Sequence, residues 1–267
     1  MDLHDYKDVA ENYDRYLSVM YQSHDNYEGF LDFYLELAKK HGQDGILDIA
    51  CGTGAVLLHL ANAGFDVEGT DLSAAMCDVA RSKALSSGLT LSIFPANMTD
   101  FKSNRRYSLA IIARSGFMHL LTSVEQRQAL LNIREHLTDG GILTLNTFAP
   151  SPLLQAEQIK TTPEDYAYRL EYVNAGGRRE KIYNAISYDP KTQIMSGNWK
   201  FETLDENGNV VEERIRPLAM RQTYKQEFTY LTELCGFEIV EIYGDYRFST
   251  EDTGNYVWIL RKNSKEI

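Results

Sequence analysis

The sequence predicts an α/β protein in which a largely parallel sheet with crossover helices is interrupted by an inserted antiparallel β-meander. Three observations predict it. Strand-like and helix-like segments alternate through the first 150 residues, the pattern of a parallel sheet covered by helices. After Pro150 the texture changes, and the stretches 181–188, 193–204 and 210–216 have strand-like composition. They are joined by Asp189-Pro190-Lys191-Thr192 and by Glu206-Asn207-Gly208, the latter a strong hairpin signal. Finally, the 267 residues are 43% hydrophobic and 24% charged, a length that buries roughly 70–75% of the unfolded surface.

The elements follow in order. Ile46-Leu47-Asp48-Ile49-Ala50 is a short apolar strand ending in a glycine-containing turn. Leu57, Leu60 and Ala61 then recur at helical spacing until Gly64 stops the helix. Residues 65–70 read as strand two, and Ser73 is a good N-cap for a helix burying Met76, Val79 and Ala80. Residues 89–94 read as strand three, closed by Pro95, and 107–113 as a buried strand four. Thr122-Ser123-Val124-Glu125 is a capping box that opens a helix with Leu130, Ile133 and Leu137 on one face. The Asp139-Gly140-Gly141 turn leads into strand five, 142–148. Residues 151–180 read as polar and irregular, 224–235 as a helix capped by Gly236, and 237–243 and 255–260 as two closing strands.

Composition excludes several function classes. Lys plus Arg is 27 against 38 for Asp plus Glu, a formal charge of -11, with a pI near 5.1 and a mean hydropathy of -0.36. Such a chain works against its own field on approaching a phosphate backbone, so no nucleic-acid partner is expected. No apolar run approaches the roughly 20 residues of a membrane span, so no membrane partner is expected either. The opening Met1-Asp2-Leu3-His4-Asp5-Tyr6-Lys7-Asp8 has neither the basic nor the apolar region of a signal peptide. Cys51, Cys77 and Cys235 are too scattered for a disulfide framework or a metal pair. The expectation is a reduced, cytoplasmic protein without a metal.

The chemistry is concentrated in Ile46-Leu47-Asp48-Ile49-Ala50-Cys51-Gly52-Thr53-Gly54-Ala55 and in Gly69-Thr70-Asp71-Leu72-Ser73. Gly52 and Gly54 let a ligand approach the backbone, and the turn presents amides at a helix N-terminus. Asp71, ending strand two, sits where a carboxylate holds ribose hydroxyls. A dinucleotide site wants a third glycine, where this chain has Leu57. Asp48 inside strand one would repel a pyrophosphate but suits a ligand bearing an ammonium and a sulfonium. S-adenosylmethionine has both.

On these residues the chain resembles the class I S-adenosylmethionine-dependent methyltransferases, small-molecule branch. Asp48-Ile49-Ala50-Cys51-Gly52-Thr53-Gly54 resembles their first motif, and Asp71-Leu72-Ser73 with Met76 the second. Pro95-Ala96-Asn97-Met98, Arg114-Ser115-Gly116-Phe117-Met118-His119-Leu120 and Leu137-Thr138-Asp139-Gly140-Gly141 resemble the later motifs. The resemblance implies a Rossmann-like seven-stranded sheet and S-adenosyl-L-methionine as cofactor. It implies that Asp48 and the 50–54 backbone, including Ala50, Gly52 and Gly54, hold the methionine portion and that Asp71 holds the ribose. It further implies adenine between Leu72 and Met98 with Asn97 at its amino group. Tyr13 in Glu11-Asn12-Tyr13-Asp14 matches an N-terminal Tyr-Asp that covers the cofactor in related small-molecule enzymes; the other reading is a core tyrosine. Arg114 would bind the cofactor carboxylate or orient the acceptor.

The expected activity is methyl transfer to a nitrogen or oxygen of a small-molecule acceptor. Such a transfer is in line, so the protein supplies orientation and a proton acceptor. His119, just beyond strand four, is the candidate base, with packing between Met118 and Leu120 as its other reading. Tyr21 and His24 are further candidates, within a segment that carries six tyrosines in its first 34 residues (6, 13, 16, 21, 27, 34). Arg114-Ser115-Gly116-Phe117 stands where base- and glutamine-modifying branches have Asn/Asp-Pro-Pro and an aromatic residue, which argues against those substrates. The chain divides into an N-terminal helical lid (1–40), a cofactor-binding core (41–150), the meander (151–218) and the C-terminal part of the core (219–267). Trp199, Phe201, Tyr183 and Tyr188 of the meander would roof the acceptor pocket or form a homodimer seam; the arrangement resembles bacterial small-molecule methyltransferases, including sugar-amine N-methyltransferases, with a similar inserted sheet. The competing function is an S-adenosyl-ligand-binding protein of another transferase class, or one without turnover.

Overall fold

The computed structural model describes residues 6, 9–22 and 29–264. A seven-stranded sheet in the order β10-β11-β5-β4-β1-β2-β3 forms its centre, and a second sheet runs β6-β7-β8-β9. β1 (Ile46–Ile49) pairs in parallel with β2 (Val67–Asp71) on one side and β4 (Tyr107–Ile112) on the other. β3 (Ile93–Pro95) adds to β2 and β5 (Leu137–Phe148) to β4, both in parallel. β11 (Asn255–Lys262) and β10 (Phe237–Tyr243) close the sheet antiparallel. The chain order reverses at β1, whose neighbours lead away in opposite directions; ligands gather outside the carboxyl ends of strands at such a point.

Both faces are covered. On one, α2 (Phe30–His41), α3 (Ala55–Asn62) and α4 (Ala74–Ser86) bury Phe33, Tyr34, Leu57, Leu60 and Ala80 against Ile46, Leu109 and Ile111. On the other, α5 (Ser123–His136) and α7 (Lys225–Leu234) bury Leu130, Ile133 and Phe228 against Leu47, Leu143 and Trp258. The Thr122–Glu125 capping box forms as expected, each side chain bonding the other's backbone. Leu57, which departs from the dinucleotide glycine pattern, packs its Cδ2 where a Cβ on Gly69 would come within 2.9 Å. Close helix–strand packing is thus reached with the small residue on the strand instead of the helix.

Several expectations are corrected. The N-terminal lid cannot run to residue 40, because α2 puts Phe33 and Tyr34 fully inside the main core. Ahead of α2 lie the short 3-10 turn Ala10–Asn12 and α1 (Tyr13–Gln22), and both Tyr13 and Phe30, at the start of α2, line the cleft described below. Strand three begins at Ile93, since only Ile93–Pro95 find partners on Gly69–Asp71. The region 151–180 is not irregular: α6 (Pro152–Gln158) and a fourth antiparallel strand, β6 (Ala167–Val173), lie in it. With β7 (Arg179–Asp189), β8 (Ile194–Leu204) and β9 (Val210–Arg221), β6 completes a sheet that continues past the expected limit at 218.

The second sheet has its own core. Leu170 and Tyr172 of β6, Ile182 of β7 and Phe201 of β8 pack on Val9, Tyr16 and Leu17. Beneath them Glu180, fully buried, accepts from the Tyr172 hydroxyl, from Thr203 Oγ1 at 2.9 Å and from Arg214. A buried carboxylate is tolerable here because it is paired and hydrogen-bonded.

Candidate active site

A cleft of about 350 Å³ opens at the carboxyl ends of β1, β2 and β4. Its floor is the turn after β1. Ala50 adopts φ +53°, Gly52 +55° and Gly54 +84°, conformations natural to glycine and costly for alanine. Cys51 N–H still bonds Thr70 O at 3.0 Å, so the turn begins as an extension of the β1–β2 ladder. A Cβ on Gly52 would meet nothing within 4 Å, which leaves this stretch of backbone open to a ligand. Gly54 differs: it is the left-handed N-cap of α3, and a Cβ there would stand 3.2 Å from Ala80 Cβ. Gly54 is not among the residues that line the cleft; it serves the turn and the helix packing.

Two carboxylates face this turn. Asp71 accepts from Gly52 N–H through Oδ2 and from Ser73 N–H through Oδ1, both at 2.8 Å. It thereby fixes the glycine turn to the end of β2. Asp48 is 1% exposed, and its Oδ2 accepts from Leu57 N–H at 3.0 Å. Its Oδ1 is buried with no hydrogen-bond partner among the described residues. Burial pushes the Asp48 carboxyl up to about 8. The Leu57 amide and Arg114 oppose that rise, and Asp71 adds to it. An unsatisfied buried carboxyl oxygen in a cleft is a place for a cation or donor to come.

The remaining expected residues converge on the same cleft: Leu72, Met76, Asn97 and Met98 on one wall, Arg114, His119 and Tyr13 on others. Asn97 Oδ1 accepts from Thr99 N–H at 3.0 Å, which fixes its amide. Arg114 and Ser115 take positive φ, +50° and +60°, in the turn after β4. Asn146 of β5 supports that turn, accepting from Ser115 N–H at 2.8 Å and donating to Ser115 Oγ at 2.9 Å. The turn swings the Arg114 guanidinium to 5.1 Å over the Phe30 ring and starts the 3-10 turn Gly116–His119 that carries His119 into the cleft.

Sequence reasoning assigned no cleft role to Tyr6, Phe30, Leu120 or Glu125, which also line the cleft. Glu125 had a signal, since the capping box that folds α5 fixes its carboxylate: Oε2 accepts from Thr122 N–H at 2.9 Å and Thr122 Oγ1 at 2.8 Å. Asp14 is the second member of the Tyr13-Asp14 pair expected over the cofactor. It accepts from Thr53 Oγ1 at 2.7 Å and from Lys83, tying α1 to the glycine turn. By contrast, Trp199, Phe201, Tyr183 and Tyr188 do not line the cleft. Phe201 and Trp199 belong to the core beneath α1, because that face of the sheet is already occupied. His24 and Tyr27 lie outside the described residues, as does the side chain of Tyr21. No cluster of metal-ligating side chains occurs among the described residues.

Residues 46–141 match the family model described as "Methyltransferase domain". Over 226 residues the chain is 27% identical to a protein of Geobacillus sp. (strain WCH70) named as a methyltransferase, covering 82% of this chain and 85% of that one. It is 25% identical over 233 residues to a glycine/sarcosine N-methyltransferase of Parasynechococcus marenigrum (strain WH8102), covering 86% of this chain and 76% of the relative. The fold is similar to that of an S-adenosylmethionine-dependent methyltransferase from Clostridium acetobutylicum, with a TM-score of 0.77 at 17% identity over 94% of this chain and 99% of that chain.

Proposed function

The chain is a class I S-adenosylmethionine-dependent methyltransferase, and from that premise we propose that it methylates the nitrogen of a small amine. The residues fit the cofactor. Asp48 offers a buried, unsatisfied carboxyl oxygen that suits a cationic ligand, and the open backbone at Gly52 gives that ligand room. In this reading Asp48 and the Ala50–Gly52 backbone hold the methionine end, Asp71 the ribose, Leu72, Met76, Asn97 and Met98 the adenine, and Tyr13 covers them. Arg114 faces the cofactor carboxylate. Once bound, S-adenosylmethionine supplies a methyl carbon already activated on a sulfonium.

The observation that carries the amine reading is Glu125. Asp48 and Asp71 are committed to the turn and cofactor, yet a third, preorganised carboxylate opens on the same cleft that His119 lines. A carboxylate there attracts an ammonium and repels a phenolate or carboxylate acceptor. An ammonium must lose a proton before its nitrogen can attack, and in this reading His119, which lines the cleft, takes that proton. The C–N bond then forms as the S–C bond breaks, and the positive charge leaves the sulfur for the amine. The relative named for glycine and sarcosine N-methylation supports the reading.

Further parts of the proposal rest on less specific features. A cytoplasmic setting is supported by three free, buried cysteines. A small acceptor and no nucleic acid are supported by the net charge of -11. A second copy is proposed to dock on the inserted sheet, whose β9 exposes Val210, Val211 and Ile215. No described helix is long and apolar enough to cross a membrane.

The test is S-adenosylhomocysteine release from S-adenosylmethionine across a panel of amino acids, amino sugars and phenols. Turnover with amines is expected, with Glu125→Gln raising the amine KM about tenfold through loss of the charge-assisted contact. Turnover confined to phenols, or an unchanged KM in Glu125→Gln, would overturn the amine reading. Binding of both S-adenosyl ligands with no turnover on any acceptor would favour a protein that binds without catalysis.

A further inference from the structure

The tyrosines that wall the cleft are held from behind by the inserted sheet. Tyr6 and Tyr13 line the cleft and meet edge to face, with ring centroids 6.1 Å apart. Tyr13 meets Tyr16 at 5.4 Å, and Tyr16 meets Tyr172 and Phe201 of the inserted sheet at 5.9 and 6.0 Å. At the cleft end of this chain of rings, Arg216 of β9 places its guanidinium carbon 3.4 Å from the centre of the Tyr6 ring. That is stacking contact, and Arg216 is only 7% exposed. A desolvated guanidinium on an aromatic face is one of the stronger side-chain contacts available, and its flat geometry fixes the ring's plane. Tyr6 lies outside any helix or strand; its carbonyl accepts from Val9 N–H at 3.1 Å and Ala10 N–H at 2.8 Å, which anchors its backbone and leaves the ring to be set by its side-chain contacts.

We propose that Arg216 is a positioning residue: it holds Tyr6 against the cleft and thereby couples the inserted sheet to cofactor retention. The sheet contributes no cleft wall of its own and acts through the tyrosine. This rests on the cleft's being the S-adenosyl site, and wild-type binding of S-adenosylhomocysteine is the control that separates the two ideas. No acceptor is needed, so failure of the amine reading leaves this test intact.

The experiment is calorimetric titration of the full chain with S-adenosylhomocysteine, combined with a double-substitution cycle. Arg216→Ala is expected to weaken binding about fivefold, in keeping with a desolvated cation–π contact. Arg216→Lys should restore only part of that, because an ammonium lacks the stacking plane. Tyr6→Phe should bind as wild type and Tyr6→Ala should match Arg216→Ala. The double variant Arg216→Ala/Tyr6→Ala should be no weaker than either single one, since both remove the same contact. Wild-type affinity in Arg216→Ala, or losses that simply add in the double variant, would overturn the proposal. If Arg216→Ala does not fold, Arg216→Lys with and without Tyr6→Ala completes the same cycle.

Discussion

The main sheet and the lid with its inserted sheet hold the cleft in different ways. At the main sheet the binding surface is largely backbone: the turn after β1 is fixed by ladder hydrogen bonds and by Asp71 bridging Gly52 and Ser73. At the lid the surface is side chain. Tyr6 and Tyr13 are set by ring stacking and by Arg216, over a core separate from that of the main sheet. Backbone geometry held by a closed network tolerates little change. Packing between side chains yields gradually, since each contact is worth on the order of 0.5–1.5 kcal/mol. The floor should therefore fail abruptly when altered and the cover by degrees.

The largest effect is expected at Asp71. Asp71→Ala removes the proposed ribose contacts and also frees the Gly52 and Ser73 amides. Two or more hydrogen bonds to a charged acceptor are lost, each worth about 1.5–3 kcal/mol. S-adenosylhomocysteine affinity should fall by at least about a hundredfold on that basis, with a lower melting temperature even without ligand. A loss confined to binding, with unchanged melting, would mean that the turn holds its shape without Asp71.

His119 divides binding from chemistry within the same cleft. His119→Ala should leave S-adenosylhomocysteine affinity near wild type and lower kcat by about a hundredfold or more, the range for a lost general base. Equal losses in affinity and turnover would place His119 in the wall and not at the acceptor.

How much of this was legible follows the same divide. Gly52, Asp71 and the Thr122–Glu125 box act through neighbours a few residues away or through strand ends, so local spacing encodes them. Arg114 and Ser115 carry positive φ without being glycines, and that conformation is imposed by Asn146, 31 residues on from Ser115. Asp14 finds Thr53 and Lys83 at separations of 39 and 69 residues. β6 shows its alternation only in Leu170 and Tyr172, which turn inward toward α1 while Glu171 between them is half-buried and Arg169 and Val173 are exposed. Nothing local says that α1 will be there. The cover is written in long-range pairings, which one sequence does not display.

Asp48 sharpens the comparison through pH. Its carboxyl sits at about 8 in the folded protein against an ordinary 3.8. Between those values the folded form keeps a proton that the unfolded form releases, so stability falls as pH rises through that interval and levels off above about 8. A cationic ligand favours the ionised carboxylate. Binding of S-adenosylmethionine near pH 6.5 should thus release close to one proton, and affinity should climb with pH until about 8. Calorimetry in buffers of different ionisation enthalpy reads the proton directly. Asp48→Asn keeps an acceptor for Leu57 N–H, so it should abolish the proton release, weaken binding and melt several degrees higher at pH 8.5. Unchanged proton release would remove Asp48 from the ligand's surroundings.

The smallest effect is expected at Asp14, whose carboxylate pairs α1 with Lys83 of α4 and accepts from the Thr53 hydroxyl of the glycine turn. Lys83 and Asp14 side chains are 36% and 41% exposed, so the ion pair is worth less than about 1 kcal/mol and weakens with salt. The Thr53 hydroxyl adds a contact of similar size. Asp14→Ala should weaken S-adenosylhomocysteine binding about threefold, mostly by faster dissociation, while Asp14→Asn keeps the Thr53 bond and recovers part of that. Raising salt should shrink the difference between wild type and Asp14→Asn, since only the Lys83 contribution is screened. A loss as large as that of Asp71→Ala would mean that the lid is part of the floor's closed network. No loss at all would leave the rings and Arg216 as the whole of the lid's hold on the cleft.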